Sequence, residues 1–390
     1  MLNQGSAPAR GGERARRSQA VALDADILHA IRRGWQSPLH EDEFDSLASR
    51  LFQHQWEHNA VARRWWEAAG ATPRRVRGWR DVPPLPVTAH RTERVAAFPE
   101  GAAPRAGLRF LSSGTTSTLR SRVYAEGLEL YEAALLLTFR RSCLPDGDRM
   151  RLLFLAPSPA QASESSLSHM FGVLLRACGS EGSGFCWGSD GLPGDELCGV
   201  LESARSAGEA LFLLGPAFAF VQALDVLRAR GAGVRLPRGS RLFQTGGFKG
   251  RSRSVEPASL LGEYERWLGI PPARVFNEYG MAELASQFYA AADASYVAPP
   301  WVRWRVLDPL TLEPVVVVGG GGEGALAVWD LANRSSCFAL RTEDLAAAGH
   351  DRFRLLGRLA DAEPRGCSLT AEEGTSLHDS RTGLPAALPS

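Results

Sequence analysis

Lysine is almost absent from this chain of 390 residues, because Lys249 is the single lysine among 44 basic residues. With 43 acidic residues the net charge is only +1. A protein that binds polyanions generally carries more positive charge, so nucleic acid is not the expected partner. Apolar runs of the roughly 18 residues that a membrane span needs are also missing, and no apolar segment follows the N-terminal arginines as in a secretory signal. We therefore expect a cytoplasmic protein without a membrane span.

The six cysteines are scattered and form no C-x-x-C pair, which argues against a zinc site. In a reducing compartment most of them should be free, buried thiols. The length allows two or three domains and a large core, so neither disulfides nor metals are needed for stability.

The hydrophobic pattern predicts an α/β fold. Residues 1–20 lack periodicity and read as a disordered tail. From Leu108 onward short apolar strands alternate with helical segments, which is typical of a mostly parallel sheet covered by helices. A helix is expected over residues 283–290. Residues 298–345 contain short strands and glycine-rich turns, which indicate a small antiparallel sheet or barrel.

A first candidate site is a loop of small and hydroxyl residues that follows the strand at Leu108. Glycine lets backbone approach a ligand closely, and successive N–H groups can form an anion-binding nest. The alternative is an ordinary polar turn. The residues of this loop that would bind phosphate are Ser113, Gly114, Thr115 and Thr116.

A second candidate site is the segment from Asn277 to Glu283, which also follows a strand. The ring of Tyr279 can stack on a purine, and Glu283 can bind magnesium. The alternative is a helix start with a stabilising acidic first turn. A third site pairs Asp344, which suits ribose hydroxyls, with Arg358, which suits phosphate. An isolated surface ion pair is the competing interpretation there.

The order of these segments resembles that of the adenylate-forming ANL superfamily. The closest resemblance is to its acyl-protein synthetase (LuxE-type) branch, which is related to phenylacetate–CoA ligase. It covers residues 44–373. The motifs that carry it include Ser112–Ser117, Gly246-Gly247-Phe248-Lys249-Gly250, Glu278–Glu283 and Arg365-Gly366-Cys367-Ser368-Leu369-Thr370.

The resemblance implies an adenylate-forming domain over residues 21–355, followed by a short segment, 356–390, in place of the usual C-terminal subdomain. It also implies that ATP and Mg²⁺ activate a carboxylic, possibly fatty, acid as its acyl-adenylate. The nucleotide-binding residues would be Ser113, Gly114, Thr115, Thr116, Gly246, Gly247, Glu278, Tyr279, Gly280, Asp344 and Arg358, with Glu283 as the catalytic metal ligand.

The resemblance further implies that Cys367 accepts the acyl group as a thioester and hands it to a partner, such as an acyl reductase. A thiolate attacks a mixed anhydride readily, and Arg365 nearby would favour the thiolate. The alternatives are an exposed thiol without a role, and direct transfer to coenzyme A or a carrier protein.

Several positions depart from the family pattern. Ala282 stands where many relatives have threonine, and no lysine follows the phosphate loop, so either Arg120 or Arg122 would take its place. With the short C-terminal segment, these departures leave open a degenerate homologue that only binds nucleotide or a partner. Lys249 is a hypothetical replacement for the missing catalytic lysine, unless it survives by chance at a neutral position.

The acid itself is not specified by the sequence. Phe212, Phe218 and Phe220 would line an apolar acyl pocket, or they belong to the core. His169 would face the acyl carboxylate, or it is a satisfied core histidine.

Overall fold

The computed structural model describes residues 10–99, 108–114, 120–246, 257–290, 294–315, 322–359 and 365–366. Its helices are α1 (Arg10–Arg33), α2 (Glu41–His58), α3 (Ala60–Ala68), α4 (Ala89–Thr92), α5 (Glu129–Cys143), α6 (Ser166–Cys178), α7 (Gly194–Ala207), α8 (Ala217–Ala229) and α9 (Pro257–Leu268). Two short 3₁₀ helices cover Trp79–Asp81 and Pro272–Arg274.

The strands are β1 (Leu85–Pro86), β2 (Leu108–Leu111), β3 (Ser113–Gly114), β4 (Arg122–Ala125), β5 (Arg151–Phe154), β6 (Gly184–Phe185), β7 (Leu211–Pro216), β8 (Arg241–Thr245), β9 (Val275–Tyr279), β10 (Phe288–Ala290), β11 (Ser295–Val297), β12 (Val302–Leu307), β13 (Gly322–Asp330), β14 (Ala339–Ala348), β15 (Arg352–Arg358) and β16 (Arg365–Gly366).

One large sheet organises the described residues, in the order β12-β13-β14-β15-β11-β10-β9-β8-β7-β5-β6, with β1 paired to β14. Strands β5 to β9 pair in parallel. Strands β9 to β15 pair antiparallel. The expected α/β fold is therefore confirmed. The antiparallel strands after residue 298 are also present, but β10 and β11 join them to the parallel strands in one continuous sheet.

Helices cover both faces of the parallel strands because those strands are apolar on both sides. All six residues of β7 are buried. Leu211 and Leu213 pack in a cluster with residues of α7, α8 and α9. Phe212 and Leu214 pack in another with residues of α5 and α6. This alternation follows from the two-residue period of a strand.

The prediction of a helix over residues 283–290 is wrong. The chain makes a turn after Tyr279 and returns as β10, in which Phe288 pairs with Tyr279 and Ala290 with Asn277. The carboxylate of Asp330 accepts hydrogen bonds from the backbone N–H groups of Ala285, at 3.1 Å, and Ser286, at 2.8 Å. These N–H groups are thus satisfied without a helix, and the aromatic residues that follow favour a strand.

The tail expected over residues 1–20 overlaps a helix, since α1 begins at Arg10. Leu23, Ile27 and Ile31 are buried on one face of α1, which packs on α2 and α5. The part of α1 before Leu23 is rich in alanine and arginine. Both residues have a high helix propensity, so they extend the helix at little cost in free energy. Residues 1–9 lie outside the described part of the chain.

Within the described ranges, no helix is both long enough and apolar enough to cross a membrane.

Candidate active site

Tyr279, Asp344 and Arg358 come together where β9 ends beside the antiparallel strands. The hydroxyl of Tyr279 donates to Oδ2 of Asp344 at 2.9 Å. Asp344 is the register partner of Arg358 across β14 and β15, and Nη1 of Arg358 lies 3.5 Å from Oδ1 of Asp344. Burial, followed by the charge of Asp344, raises the pKa of the Tyr279 phenol well above its usual value. The two sequence segments predicted to bind ribose and purine therefore meet at one place. We call Tyr279, Asp344 and Arg358 the ribose cluster.

Glu343 fixes the orientation of Arg358 in this cluster. Nη2 of Arg358 donates to Oε2 of Glu343 at 2.9 Å, and Arg91 of α4 donates to the same carboxylate. The ring of Tyr279 packs against Phe288 and Phe353. These contacts hold the side chains in place before any ligand binds, which lowers the ordering cost of binding.

Glu283 lies in the turn between β9 and β10 and is 1% exposed. Its backbone carbonyl accepts a hydrogen bond from Nδ2 of Asn333 at 2.8 Å. Asp330 anchors the same turn, and burial raises the pKa of its carboxyl group to about 6, against four hydrogen bonds that lower it. Among the described residues, no group of three His, Cys, Asp or Glu side chains could hold a metal ion. A magnesium ion needs only one or two carboxylates when phosphates supply the other ligands. Glu283 as that carboxylate stays a prediction.

A cavity with about 810 Å³ of empty space, including the part open to solvent, lies beside this turn. Its walls come from β2, β4, α5, α6 and the ends of β8 and β9. Glu278 lines it, whereas the side chain of the adjacent Tyr279 meets Asp344. Glu278 therefore faces the cavity and not the ribose cluster, because neighbouring strand residues point to opposite faces.

Glu278 is a buried acid with one compensating hydrogen bond, from the hydroxyl of Thr245. Burial raises the pKa of its carboxyl group to about 7. Gly280 leaves room for this side chain, since a Cβ at position 280 would meet Oε1 of Glu278.

The loop predicted to bind phosphate contacts the C-terminal segment. Within the described part of this loop, Ser113 pairs with Gly366 and Gly114 with Arg365 in the ladder of β3 and β16. Ser112 lies at the base of the loop, where its Oγ accepts the backbone N–H of Ser121 at 2.9 Å. Gly246 ends β8 with a φ of +71°, a conformation that favours glycine. The predicted site residues that lie outside the described residues are Thr115, Thr116, Gly247, Lys249 and Cys367.

Of the three phenylalanines predicted to line an acyl pocket, Phe212 and Phe220 are buried in the core and Phe218 is half-buried against it. Phe212 stacks on Phe139 with ring centroids 5.8 Å apart, and Phe220 packs against Tyr264. Phe218 packs against Trp187, and none of the three phenylalanines lines the cavity. They lie on β7 and α8, whose side chains fill the space between sheet and helices.

His169 is half-buried next to the cavity. Its Nε2 lies 3.2 Å from Oε1 of Glu132, and its ring packs against Phe110 and Tyr131. Burial lowers the pKa of His169, with Glu132 opposing the shift. These contacts pair His169 with neighbouring protein side chains, and its acyl-binding role stays a prediction.

Sequence reasoning missed several polar residues of the cavity. Arg334 is 5% exposed and donates to Asp24 of α1 and to Glu126. Gln287 is 4% exposed, and it precedes β10 in the segment where the sequence predicts a helix. Because Asp24 and Arg334 are 310 residues apart, no local pattern could pair them.

The chain is similar to known acyl-protein synthetases. The family model described as "Acyl-protein synthetase, LuxE" matches residues 195–375. The long-chain-fatty-acid–luciferin-component ligase of Vibrio harveyi is 20% identical over 372 residues, which cover 92% of this chain and 96% of that protein. The resemblance predicted from the motifs is confirmed by these two matches.

Solved structures that resemble this chain include a long-chain-fatty-acid–CoA ligase from Archaeoglobus fulgidus, with 13% identity, a TM-score of 0.46, and coverage of 64% of this chain and 51% of that chain. O-succinylbenzoate coenzyme A synthetase from Bacillus subtilis, in complex with ATP and magnesium ion, has 17% identity, a TM-score of 0.43, and coverage of 66% and 52%. The matched region thus spans about half the length of these solved ligases.

Proposed function

We propose that this protein uses ATP to convert a carboxylic acid into its acyl-adenylate and then transfers the acyl group to the thiol of Cys367. The observation that carries the proposal is the pairing of β16 with β3. It sets Gly366, which directly precedes Cys367, against Ser113 of the loop proposed to bind phosphate. A nucleophile that must attack an acyl phosphate belongs next to such a loop.

The first step joins the acid to the α-phosphate of ATP. A carboxylate oxygen forms a bond to the α-phosphorus, and the bond from that phosphorus to the bridging oxygen breaks, releasing pyrophosphate. Such a reaction depends on neutralising charge and on holding the attacking and leaving oxygens in line. Arg358 supplies a cation and Asp344 a ribose-binding carboxylate. Glu283 would hold Mg²⁺, which would neutralise phosphate charge.

The second step forms the thioester. The thiolate sulfur of Cys367 attacks the acyl carbon, the bond between that carbon and the phosphate oxygen breaks, and AMP leaves with the electron pair. The positive charge of Arg365 in the same segment would stabilise the thiolate.

The other cysteines are poor candidates for this role. All five, Cys143, Cys178, Cys186, Cys198 and Cys337, are buried. Burial raises the pKa of Cys143, Cys178, Cys186 and Cys337, which disfavours the thiolate. Buried thiols of this kind behave as small apolar side chains.

Two measurements test the two steps separately. Exchange of pyrophosphate into ATP that depends on an added carboxylic acid reports adenylation. The intact mass after incubation with ATP and acid reports self-acylation, which should add one acyl group to the wild type and none to Cys367→Ala. Cys198→Ala is the matched control, since it removes a buried thiol on α7 and should acylate like the wild type.

Each rival function has its own outcome. Exchange without any mass increase, but with acyl transfer to added coenzyme A or carrier protein, would favour a ligase that does not acylate itself. No exchange with any acid would favour a degenerate homologue. Lys249 is proposed to contact the α-phosphate or the carboxylate, and unchanged exchange in Lys249→Ala would exclude that role. The acyl acceptor beyond Cys367 is proposed to be a partner such as an acyl reductase.

A further inference from the structure

The cavity beside the turn is lined by both apolar and polar side chains. Leu128, which directly precedes α5, and Leu167 and Met170 of α6 contribute apolar side chains. Glu278 of β9 and Gln287, which directly precedes β10, contribute polar ones. An acid with a plain hydrocarbon chain needs no such groups, because burying polar side chains next to hydrocarbon is unfavourable.

Glu278 and Gln287 lie close together around Gly280. A Cβ at position 280 would meet Oε1 of Glu278 and would lie 3.7 Å from Cγ of Gln287. The proximity follows from the hairpin of β9 and β10, in which Glu278 pairs with Tyr289. The two side chains therefore lie beside each other in the lining of the cavity.

Gln287 is 4% exposed, and its Oε1 has no hydrogen-bond partner within the described part of the chain. Buried polar atoms are nearly always paired in folded proteins, so an unpaired one that lines a cavity points to a ligand. An acceptor oxygen requires a donor on that ligand.

The charges around the cavity also favour a donor. Arg334 is the cation among the described lining residues, and it is already held by Asp24 and Glu126. Glu278, Asp24 and Glu129 are the acids of the lining. Because Arg334 is already paired, the described lining residues leave a second anionic group on the substrate without a cation, whereas the acceptor oxygens favour a hydroxyl or an amine.

We propose that the acid activated by this protein carries a hydrogen-bond-donating group, a hydroxyl or an amine, which donates to the Oε1 atoms of Glu278 and Gln287. The inference rests on the proposed adenylation and deepens it by naming a substrate class. The two side chains select the acid and take no part in the bond changes.

The test compares acids of one chain length in the pyrophosphate exchange assay. The probes are decanoic acid, β-hydroxydecanoic acid, ω-hydroxydecanoic acid, ω-aminodecanoic acid and sebacic acid, the last of which adds a second carboxylate. We expect kcat/KM for at least one hydroxy or amino acid to exceed that for decanoic acid and sebacic acid by about tenfold or more. The acid with the highest kcat/KM then identifies whether the donating group is a hydroxyl or an amine and where on the chain it lies.

Two variants connect this preference to the proposed residues. Gln287→Leu should reduce the preference for the favoured acid, mainly by raising its KM, while decanoic acid is used as well as before or better. Glu278→Gln should also reduce this preference, measured as the ratio of kcat/KM for the favoured acid to kcat/KM for decanoic acid. Met170→Leu is the matched control at an apolar residue of the same lining, and it should change the kinetics of all acids in parallel. Thermal unfolding of each variant shows whether it is folded.

The possible failures are distinguishable. Exchange that is fastest with decanoic or sebacic acid, or a preference that both variants keep, overturns the inference and leaves the adenylation standing. No exchange with any of the five acids overturns both.

Discussion

Glu278→Gln should make the protein more stable at neutral and alkaline pH. Burial raises the pKa of Glu278 from 4.5 to about 7, so the folded protein holds a proton that the unfolded chain gives up. Below pH 4.5 both states are protonated and the shift has no effect. Between pH 4.5 and 7 the unfolded chain ionises first, so the stability of the wild type falls as the pH rises. Glutamine never ionises and can still accept the hydrogen bond of Thr245.

The size of the effect follows from the shift. About 2.5 pKa units at 1.36 kcal/mol each correspond to about 3 kcal/mol in total. The effect begins below pH 5, so the range from pH 5 to pH 8 covers most of it but not all. Over this range the free energy of unfolding of the variant should rise by about 2 to 3 kcal/mol relative to that of the wild type.

Urea unfolding of both proteins at pH 5, 6, 7 and 8 measures this difference. Other titrating groups cancel because only the difference between the two proteins is used. Glu313→Gln, at an exposed position after β12, controls for the loss of one negative charge. A stability difference that stays constant over this pH range, or one that favours the wild type as the pH rises, would refute the assignment of Glu278 as a buried, protonated acid.

Three further predictions concern the turn, the core and the ribose cluster. Asp330→Ala leaves the buried N–H groups around Ser286 without an acceptor and should cost about 3 to 5 kcal/mol in urea unfolding; a loss below about 1 kcal/mol would contradict the anchoring role. Phe212→Ala should cost about 3 to 5 kcal/mol of stability while leaving the relative kcat/KM values for different acids unchanged, whereas an altered acid preference would restore the acyl-pocket interpretation. Asp344→Asn keeps an acceptor for Tyr279 but offers ribose one oxygen instead of two, so the KM for ATP should rise by about tenfold with kcat nearly unchanged. An unchanged KM in that variant would place the nucleotide elsewhere.

Local patterns were sufficient for the parallel part of the sheet. Runs such as Leu211–Leu214 are apolar and short, and they predict strands that the structure contains, here β7. The order of the small-residue loop, the Tyr279 segment and the Asp344 segment was also enough to identify the resemblance to acyl-protein synthetases. Both signals depend on residues that are close together in the sequence, and a sequence pattern detects only such residues.

The hairpin after Tyr279 shows where local pattern fails. Residues 283–290 are compatible with a helix or a strand, and the choice was made by pairing with β9 and by Asp330, which is 40 or more residues away in the chain. Short apolar segments are ambiguous until their partners are known.

By itself, the sequence determined which chemistry-bearing segments exist, because residue type and spacing are local properties. Only the tertiary structure decided how they meet: that Gly366 lies against Ser113, that Tyr279 faces Asp344, and that Glu278 turns away from them into the cavity. The physical reason is that sheet register and burial depend on residues far apart in the chain. These same two properties set the pairing of Asp344 with Arg358 and the raised pKa of Glu278.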